Sequence, residues 1–338
     1  MKVKESSRNL STSFMNSFSH IYVEKEVLNH HITLEILSKF PNSKVVEIEN
    51  YKDVFNRPRQ NFIIQKKSPK LILAKKTSNC LYEGSSLCED FGETSFYYSS
   101  NIFNCIYNCE YCYLRGLYSS SNIVIFVNIE DFFEEINKTI KDKRAYICIS
   151  YDSDILAFEN ITGFVRKWIE FASKHNNLLI EIRTKSSNFR SIKDLEIPAN
   201  VIFAWTLSPQ EIIDNFEYKT PSLTARLNDI KLAISKGLKV RISLEPIMKI
   251  KGFEAIYGKF IDKVFTEMPS EAIRDVNIGV FRMSEEHIKR LRRLDKYSKV
   301  FGYDFKKENG VVSYFDEEYL RSFVRKRLIN YIDKKKIY

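Results

Sequence analysis

The chain has 338 residues, 44% of them hydrophobic, which is enough for a core of barrel-domain size and excludes disorder of the whole chain. Its 53 Lys and Arg residues outnumber its 43 Asp and Glu residues, and the net charge of +10 favours polyanionic partners without identifying one. No uncharged apolar run reaches the roughly 18 residues of a membrane span, and residues 1–13 lack the apolar stretch of a signal peptide. We therefore expect a cytoplasmic protein that does not insert into a membrane.

The first part of the chain has the pattern of a small α/β lobe. Residues 20–76 alternate short apolar, strand-like runs with an amphipathic, helix-like stretch at residues 27–40. A polar stretch at residues 77–94 then interrupts the pattern. We predict an N-terminal α/β lobe with its connecting segment over residues 1–94, and a second domain over residues 95–338.

Six strand-like runs recur in the second part, separated by segments of helical periodicity. The runs are NIVIFVN, AYICISYD, LLIEIRTKS, VIFAWTLSP, KVRISLEPIM and DVNIGVFRM. The helices are predicted at residues 129–140, 161–174, 223–236 and 253–267. Strands that alternate with helices pair in parallel, so the sequence predicts an α/β fold built on a partial (β/α)6 barrel of the TIM type. Functional side chains are then expected at the C-terminal ends of the strands.

Near its end, the chain carries a hairpin signal and a basic helix. In DFKKENGVVSYF, the pair Asn309-Gly310 lies between two β-prone arms and predicts a β-hairpin over residues 304–315. Residues 316–332 predict a closing helix rich in Arg and Lys. Its basic face is either a solvated surface or a surface that contacts phosphate groups.

Three of the six cysteines stand close together, as Cys105, Cys109 and Cys112 in a C-x3-C-x2-C array. Such grouping in a chain with few cysteines indicates metal ligation in a reducing compartment. Three thiolates can hold a four-iron cluster and leave one iron open to another ligand. The alternative is zinc, although zinc loops usually supply four ligands in paired C-x2-C units. The remaining cysteines, at positions 80, 88 and 148, are interpreted as ordinary thiols.

The cysteine array lies within a longer segment that resembles a known family. FNCIYNCEYCYLRGLY, followed by NIVIFVNIEDFF, is similar to the cluster loop and next strand of the spore photoproduct lyase family. The likeness extends to SDILAFENITGF, RTKS, NFEYKTPSLTARLNDIKLAISKGL and the ENG hairpin. The family belongs to the radical S-adenosyl-L-methionine (SAM) superfamily. The resemblance implies a 4Fe-4S cluster on the three cysteines, with SAM on the open iron and its cleavage to a 5′-deoxyadenosyl radical.

The resemblance also implies a substrate and partners. Spore photoproduct lyases revert a methylene-bridged thymine dimer in UV-damaged DNA to two thymines, so we expect a DNA-repair lyase that binds double-stranded DNA. An external electron donor such as flavodoxin or ferredoxin would reduce the cluster. A lesion in a duplex must be turned out of the base stack before it can react, and the hairpin at residues 304–315 is a candidate to fill the gap. The alternative is that this hairpin merely covers the end of the barrel.

Carried over position by position, the resemblance assigns further residues. It places Tyr111 near the adenine of SAM and Tyr113 in a relay that returns hydrogen. The positions that correspond to SAM contacts are Ser153, Lys185 and Thr206. Tyr151 stands where the lyases carry the cysteine that donates hydrogen to the product radical. Because a phenol can return a hydrogen atom, Tyr151 is predicted to act catalytically with Tyr113 and Tyr111.

The tyrosine at position 151 leaves more than one function open. The first is the lyase activity itself. The second is a paralogue that keeps the radical chemistry but acts on another modified nucleotide or an unknown substrate. The third, from a different class, is a nucleic-acid-binding module whose cysteines hold zinc or a purely structural cluster.

Overall fold

The computed structural model describes residues 18–85, 88–93, 95–141 and 143–338, so residues 1–17 of the predicted lobe lie outside the described part. The strands in chain order are β1 (His20–Glu24), β2 (Lys44–Ile48), β3 (Leu71–Ala74), β4 (Tyr82–Glu83), β5 (Phe96–Tyr98), β6 (Ile102–Phe103), β7 (Asn108–Cys109), β8 (Ile123–Phe126), β9 (Ala145–Cys148), β10 (Leu178–Thr184), β11 (Val201–Thr206), β12 (Glu217–Tyr218), β13 (Val240–Ile247), β14 (Ile273–Val280), β15 (Arg282–Ser284), β16 (Phe305–Glu308) and β17 (Val311–Tyr314). The α-helices are α1 (His31–Ser38), α2 (Lys52–Phe55), α3 (Phe62–Gln65), α4 (Leu114–Leu117), α5 (Ile129–Ile140), α6 (Glu159–Thr162), α7 (Phe164–Ser173), α8 (Gln210–Phe216), α9 (Leu223–Ser235), α10 (Phe253–Thr266), α11 (Glu285–Leu294) and α12 (Glu317–Leu328).

One sheet belongs mainly to the N-terminal part and has the strand order β2-β1-β3-β8-β6. Strands β2, β1, β3 and β8 are parallel, and β6 runs antiparallel to β8. Strand β8 was predicted to be the first strand of the barrel, and this prediction is wrong because β8 pairs with β3. All four residues of each strand are buried. A wholly apolar run of this kind can enter any fully covered sheet, so its pattern does not reveal its partner.

The second sheet has the strand order β14-β13-β11-β10-β9-β5-β4. All neighbours from β14 to β5 are parallel, and β4 is antiparallel to β5. Five of the six predicted runs enter this sheet, and the short strand β5 takes the place expected for β8. The predicted mixed α/β architecture is therefore confirmed. The pairing does not show closure into a partial barrel, which stays a prediction.

Helices α5, α7, α9 and α10 lie where helical periodicity was predicted. At the start of α9, the Ser222 hydroxyl accepts a hydrogen bond from the N–H of Ala225 at 3.3 Å, and after the end of α9 Gly237 adopts a positive φ of 83°. The helices cover the sheet with apolar side chains, among them the fully buried Trp168. No helix among the described residues is long and apolar enough to span a membrane.

The C-terminal part adds a small sheet of strand order β15-β17-β16. The hairpin predicted over residues 304–315 is confirmed by the antiparallel pair β16 and β17. Its turn uses positive φ angles at Asn309 and Gly310, as a two-residue hairpin turn requires. Helix α12 confirms the predicted closing helix. Helix α11 packs against α4, directly after the cysteine array, and His287 lies so close to Gly116 that a β-carbon there would not fit.

Candidate active site

The cysteine array forms a loop between β6 and α4 that is held in place by the segment before α9. Strand β7 pairs with β12, so Cys109 lies opposite Glu217. The backbone N–H of Glu110 donates to the Phe216 carbonyl at 2.7 Å. The Glu110 carboxylate accepts from the hydroxyls of Tyr218 and Ser298 at 3.0 and 2.8 Å. The loop is thus fixed at three points by later parts of the chain.

The three cysteines are free thiols, and all three line one small cavity together with Lys66 and Arg115. Burial, reinforced by Asp154, raises the pKa of the Cys105 thiol to about 12. Within the described residues, no three His, Cys, Asp or Glu side chains converge on a point where one metal ion would sit. Cluster cysteines bind different irons, so a cluster loop does not require that convergence.

A buried lysine, Lys66, completes the cavity, and the sequence interpretation missed it. Its side chain is only 5% exposed, and its ammonium group donates to the carbonyl of Cys105. Burial lowers the pKa of Lys66, while the three nearby cysteines oppose that shift. Lys66 lies far upstream in a segment with several other lysines, so no signal in the sequence distinguished it.

The residues predicted to contact SAM lie at the C-terminal ends of neighbouring strands. Ser153 follows β9, and its hydroxyl donates to the carbonyl of Asn104, directly before the first cysteine, at 2.9 Å. Lys185 follows β10, and its ammonium nitrogen lies 5.7 Å from the ring centre of Tyr111. Thr206 ends β11 and is buried. All three therefore lie on the edge of the sheet that faces the cysteine loop.

Two buried carboxylates connect residues along the edge of the sheet that faces the cysteine loop. Asp154 accepts the Lys185 backbone N–H and the Thr184 hydroxyl, each at 2.7 Å, and so joins the ends of β9 and β10. Glu217 accepts a hydrogen bond from the Tyr111 hydroxyl and forms a fully buried ion pair with Arg226. Burial alone would raise the pKa of Glu217, but Arg226 and Lys185 outweigh it and hold this pKa at about 2. The phenol of Tyr111 is therefore fixed by a charged acceptor.

The other two predicted tyrosines lie together at the end of β9. The Tyr113 hydroxyl donates to the backbone carbonyl of Tyr151 at 2.7 Å and contacts the Asp152 carboxylate at 3.1 Å. The Tyr113 and Tyr151 ring centres are 6.0 Å apart. Asp152 is held in turn by the Ser100 hydroxyl at 2.7 Å. The structure thus brings Tyr113 and Tyr151 together, whereas the Tyr111 hydroxyl is bound to Glu217.

The Tyr151 side chain also contacts a cysteine outside the array. The Cys88 sulfur lies 3.7 Å from the Tyr151 hydroxyl oxygen, and the ring of Tyr98 stacks on Tyr151 with centres 4.2 Å apart. The sequence interpretation treated Cys88 as an ordinary thiol. Cys88 and Tyr151 are 63 positions apart in the sequence, and nothing in the sequence indicated that they would meet.

Comparison with known proteins decides the family. The sequence model described as spore photoproduct lyase matches residues 16–300. The chain belongs to the spore photoproduct lyase family. The resemblance noted in the sequence is therefore confirmed.

Two curated spore photoproduct lyases are similar over most of their length. The lyase from a Geobacillus species is 24% identical over 269 residues, which cover 78% of this chain and 77% of the relative. The lyase from Clostridium acetobutylicum is 23% identical over 255 residues, which cover 73% and 74% of the two chains.

Solved spore photoproduct lyases share the fold. A double mutant with bound AdoMet and dinucleoside spore photoproduct superposes with a TM-score of 0.80 at 20% identity, covering 95% of this chain and 98% of the other. A lyase complexed with dinucleoside spore photoproduct gives 0.80 at 19% identity, with 96% and 99% coverage. The mixed α/β fold of this chain is that of the spore photoproduct lyases.

Proposed function

We propose that this protein is a radical SAM DNA-repair lyase that reverts the spore photoproduct thymine dimer to two thymines through a 5′-deoxyadenosyl radical. One observation carries the proposal. In a chain of this family, a loop with three free cysteines faces the strand ends that present Ser153, Lys185 and Thr206. We also infer that the seven-stranded sheet curves around this edge as a partial barrel.

The residues of the loop fit a 4Fe-4S cluster. The donor set is three unpaired thiols in one loop, whereas structural zinc sites usually have four protein ligands. Around the cysteines, buried polar atoms of Asn104, Asn108 and Arg115 lack hydrogen-bond partners. Buried polar atoms without hydrogen-bond partners cost free energy, unless a further group binds next to them and supplies the missing partners. Cys105, Cys109 and Cys112 would hold the cluster.

The protein's own groups would bind and orient SAM. Tyr111 presents its ring beside the Lys185 ammonium group, and the Ser153 hydroxyl lies next to the cysteine loop. When both are bound, the cluster and SAM supply a carbon-centred radical that can abstract a hydrogen atom from the substrate. Tyr113, oriented by Asp152, is proposed as part of the path by which hydrogen returns. The reducing electron would come from an external donor such as flavodoxin or ferredoxin in the cytoplasm.

DNA is supported as the substrate by the relatives and by surface charge. Solved family members hold the dinucleoside spore photoproduct. Next to the cysteine loop, the exposed cations Arg292, Arg293 and Lys296 lie at the end of α11 and just beyond it. This segment is tied to the loop by Ser298, which donates to Glu110, and by Arg290, which donates to the Leu117 carbonyl at 3.1 Å. Phosphate groups of a duplex would meet these cations, with the hairpin at residues 304–315 as the proposed wedge.

The second candidate function is a family paralogue that acts on another modified nucleotide. The observation that favours it is Tyr151 at the position of the family's donor cysteine, in a chain 24% identical to the curated lyase of Geobacillus. The two candidates differ in their product. Only the first turns the spore photoproduct into unmodified thymines.

Product analysis tests the proposal. Protein purified and reconstituted anaerobically should bind about four iron atoms. With SAM, dithionite and dinucleoside spore photoproduct, it should form thymidylyl-thymidine. The Cys105→Ala variant should lose the iron and the product, whereas Cys80→Ala, a matched change of a buried thiol outside the loop, should keep both. Formation of 5′-deoxyadenosine without thymidylyl-thymidine would favour the paralogue, and about one zinc with no iron would favour the zinc-binding module.

A further inference from the structure

Two buried cationic side chains, Lys66 and Arg115, line the cavity that contains the three cysteines of the array. They are only 5% and 4% exposed. All three cysteines lie within electrostatic reach of the Lys66 ammonium group. Burial of a charged side chain costs free energy unless an opposite charge compensates it. The two cations therefore need a role that offsets this cost.

The hydrogen bonds of both cations go to neutral acceptors. The Lys66 ammonium group donates to the backbone carbonyl of Cys105. The Arg115 guanidinium donates to the carbonyl of Glu110 at 3.1 Å, and its Nε atom is buried without a partner among the described residues. A carbonyl group carries no net charge. These contacts thus leave the two positive charges to be balanced by the sulfur atoms of the cavity.

The structure fixes the position of Lys66 relative to the cysteine loop. Its backbone N–H donates to the Phe62 carbonyl at 2.9 Å at the end of α3, and its ammonium nitrogen lies 6.0 Å from the centre of the Phe62 ring. The preceding residue, Gln65, accepts hydrogen bonds from the Ser120 hydroxyl and the Ser121 N–H at 3.1 and 3.0 Å. Helix α3 is thereby tied to the segment that follows α4. A buried charge held at one place acts on its neighbours with little screening by solvent.

Other charged groups also act on the cysteines. Asp154 and Glu217 bring negative charge, and Lys185 brings positive charge. Glu217 is balanced by its fully buried ion pair with Arg226. The two buried cations of the cavity and Lys185 then outnumber the single remaining carboxylate, Asp154. This balance favours additional negative charge on the loop.

We propose that Lys66, assisted by Arg115, raises the reduction potential of the cluster by stabilising its reduced state; this inference rests on the 4Fe-4S cluster of the proposed function. Reduction moves one electron from the external donor to a cluster that three thiolates already make more negative. A buried cation favours the state with the greater negative charge. Net charge, hydrogen bonds and solvent exposure are the factors that set cluster potentials. Lys66 would act through the cluster and make it easier for the donor to reduce it.

The test is a potentiometric titration of the reconstituted full-length protein, with the reduced cluster measured by electron paramagnetic resonance. Lys66→Gln removes the charge but keeps an N–H donor, and Lys66→Arg keeps the charge. Lys67→Gln makes the same charge change on the exposed neighbour. At a fixed potential, Lys66→Gln should lower the ratio of reduced to oxidised cluster at least about tenfold, which is about 59 mV for one electron. Lys66→Arg and Lys67→Gln should stay near wild type, and all four proteins should bind about four iron atoms.

Urea unfolding of the cluster-free protein separates this role from a structural one. Without the cluster the buried charge brings mainly its desolvation cost, so Lys66→Gln should unfold at the same urea concentration as wild type or a higher one. A lower urea midpoint, or loss of iron from Lys66→Gln, would assign Lys66 to the fold and overturn the proposed tuning. Equal potentials of wild type and Lys66→Gln would overturn it as well.

The outcome for Lys66 can be distinguished from the outcome for the proposed function. Potentiometry needs the cluster but no spore photoproduct. Wild type that binds iron without forming thymidylyl-thymidine would overturn the repair function, while a lower potential of Lys66→Gln would still support the tuning. Absence of iron from wild type would overturn both.

Discussion

At the residue scale, the ion pair between Glu217 and Arg226 is expected to have a large effect on stability. Both side chains are fully buried, and Glu217 lies opposite Cys109 in the β7–β12 pair. Removal of one partner leaves the other charge buried without compensation, which typically costs about 3–5 kcal/mol. Arg226→Met should lower the unfolding free energy by about that amount in urea titrations. The exposed pair of Lys138 and Glu134 is the control, and Lys138→Ala should cost less than about 0.5 kcal/mol.

The ion pair between Glu217 and Arg226 should also make the folding stability depend on pH. The folded-state pKa of Glu217 is about 2, below its ordinary value of 4.5, so the carboxylate contributes its full stability above pH 4.5. That contribution is lost as the pH falls toward 2. Glu217→Gln should therefore be less stable than wild type near neutral pH, and the difference should shrink in acid. A difference that stays constant from pH 5 to about 2.5 would contradict this account.

Residues with local motifs could be predicted from the sequence, and residues that act through distant contacts could not. The spacing of Cys105, Cys109 and Cys112 was sufficient to predict a metal-binding loop, because the three candidate ligands lie within eight residues. Lys66 and Cys88 reach the same region from far along the chain, and neither has a sequence pattern that reveals its partner. Only the folded chain brings them to the site.

At the element scale, the contact between α4 and α11 connects the cysteine loop to the C-terminal part. A β-carbon at Gly116 would lie 2.6 Å from the His287 carbonyl oxygen, too close for the backbone to stay in place. Gly116→Ala should therefore destabilise the protein by about 1–3 kcal/mol, measured by urea unfolding. Gly258→Ala in α10 is the matched control, because its β-carbon would meet nothing within 4 Å. That change should be neutral or stabilise by about 0.5–1 kcal/mol. Equal effects of the two changes would contradict the proposed close contact.

The positions of the helices were predicted well from the sequence, and the pairing of the strands was predicted less well. Helical periodicity gave α5, α9 and α10 within a residue or so of their observed ends, because an amphipathic pattern is a local property. Strand pairing is decided by distant parts of the chain. Strand β8 is apolar on both faces and pairs with β3, while the three-residue strand β5 is too short to stand out in the sequence.

At the scale of the whole molecule, the net charge of +10 and the basic segment beside the cysteine loop predict salt-sensitive binding to DNA. If about six phosphates are contacted, duplex affinity should fall about 10³-fold between 50 and 200 mM salt. Arg293→Glu should weaken DNA binding. It should also reduce the slope of log affinity against log salt concentration by the equivalent of about one phosphate contact, measured by fluorescence anisotropy. Lys138→Glu makes the same charge change on α5 and should leave the slope nearly unchanged. Identical slopes for the two variants would contradict a binding surface beside the cysteine loop.

Under the proposed function, the whole fold serves one reaction, the return of a thymine dimer to two thymines at the cysteine loop. Its most direct measurement is chromatographic and mass-spectrometric analysis of dinucleoside spore photoproduct after incubation with reconstituted protein, SAM and dithionite. The proposed function predicts thymidylyl-thymidine that appears only when all three components are present. Intact photoproduct beside accumulating 5′-deoxyadenosine would contradict it.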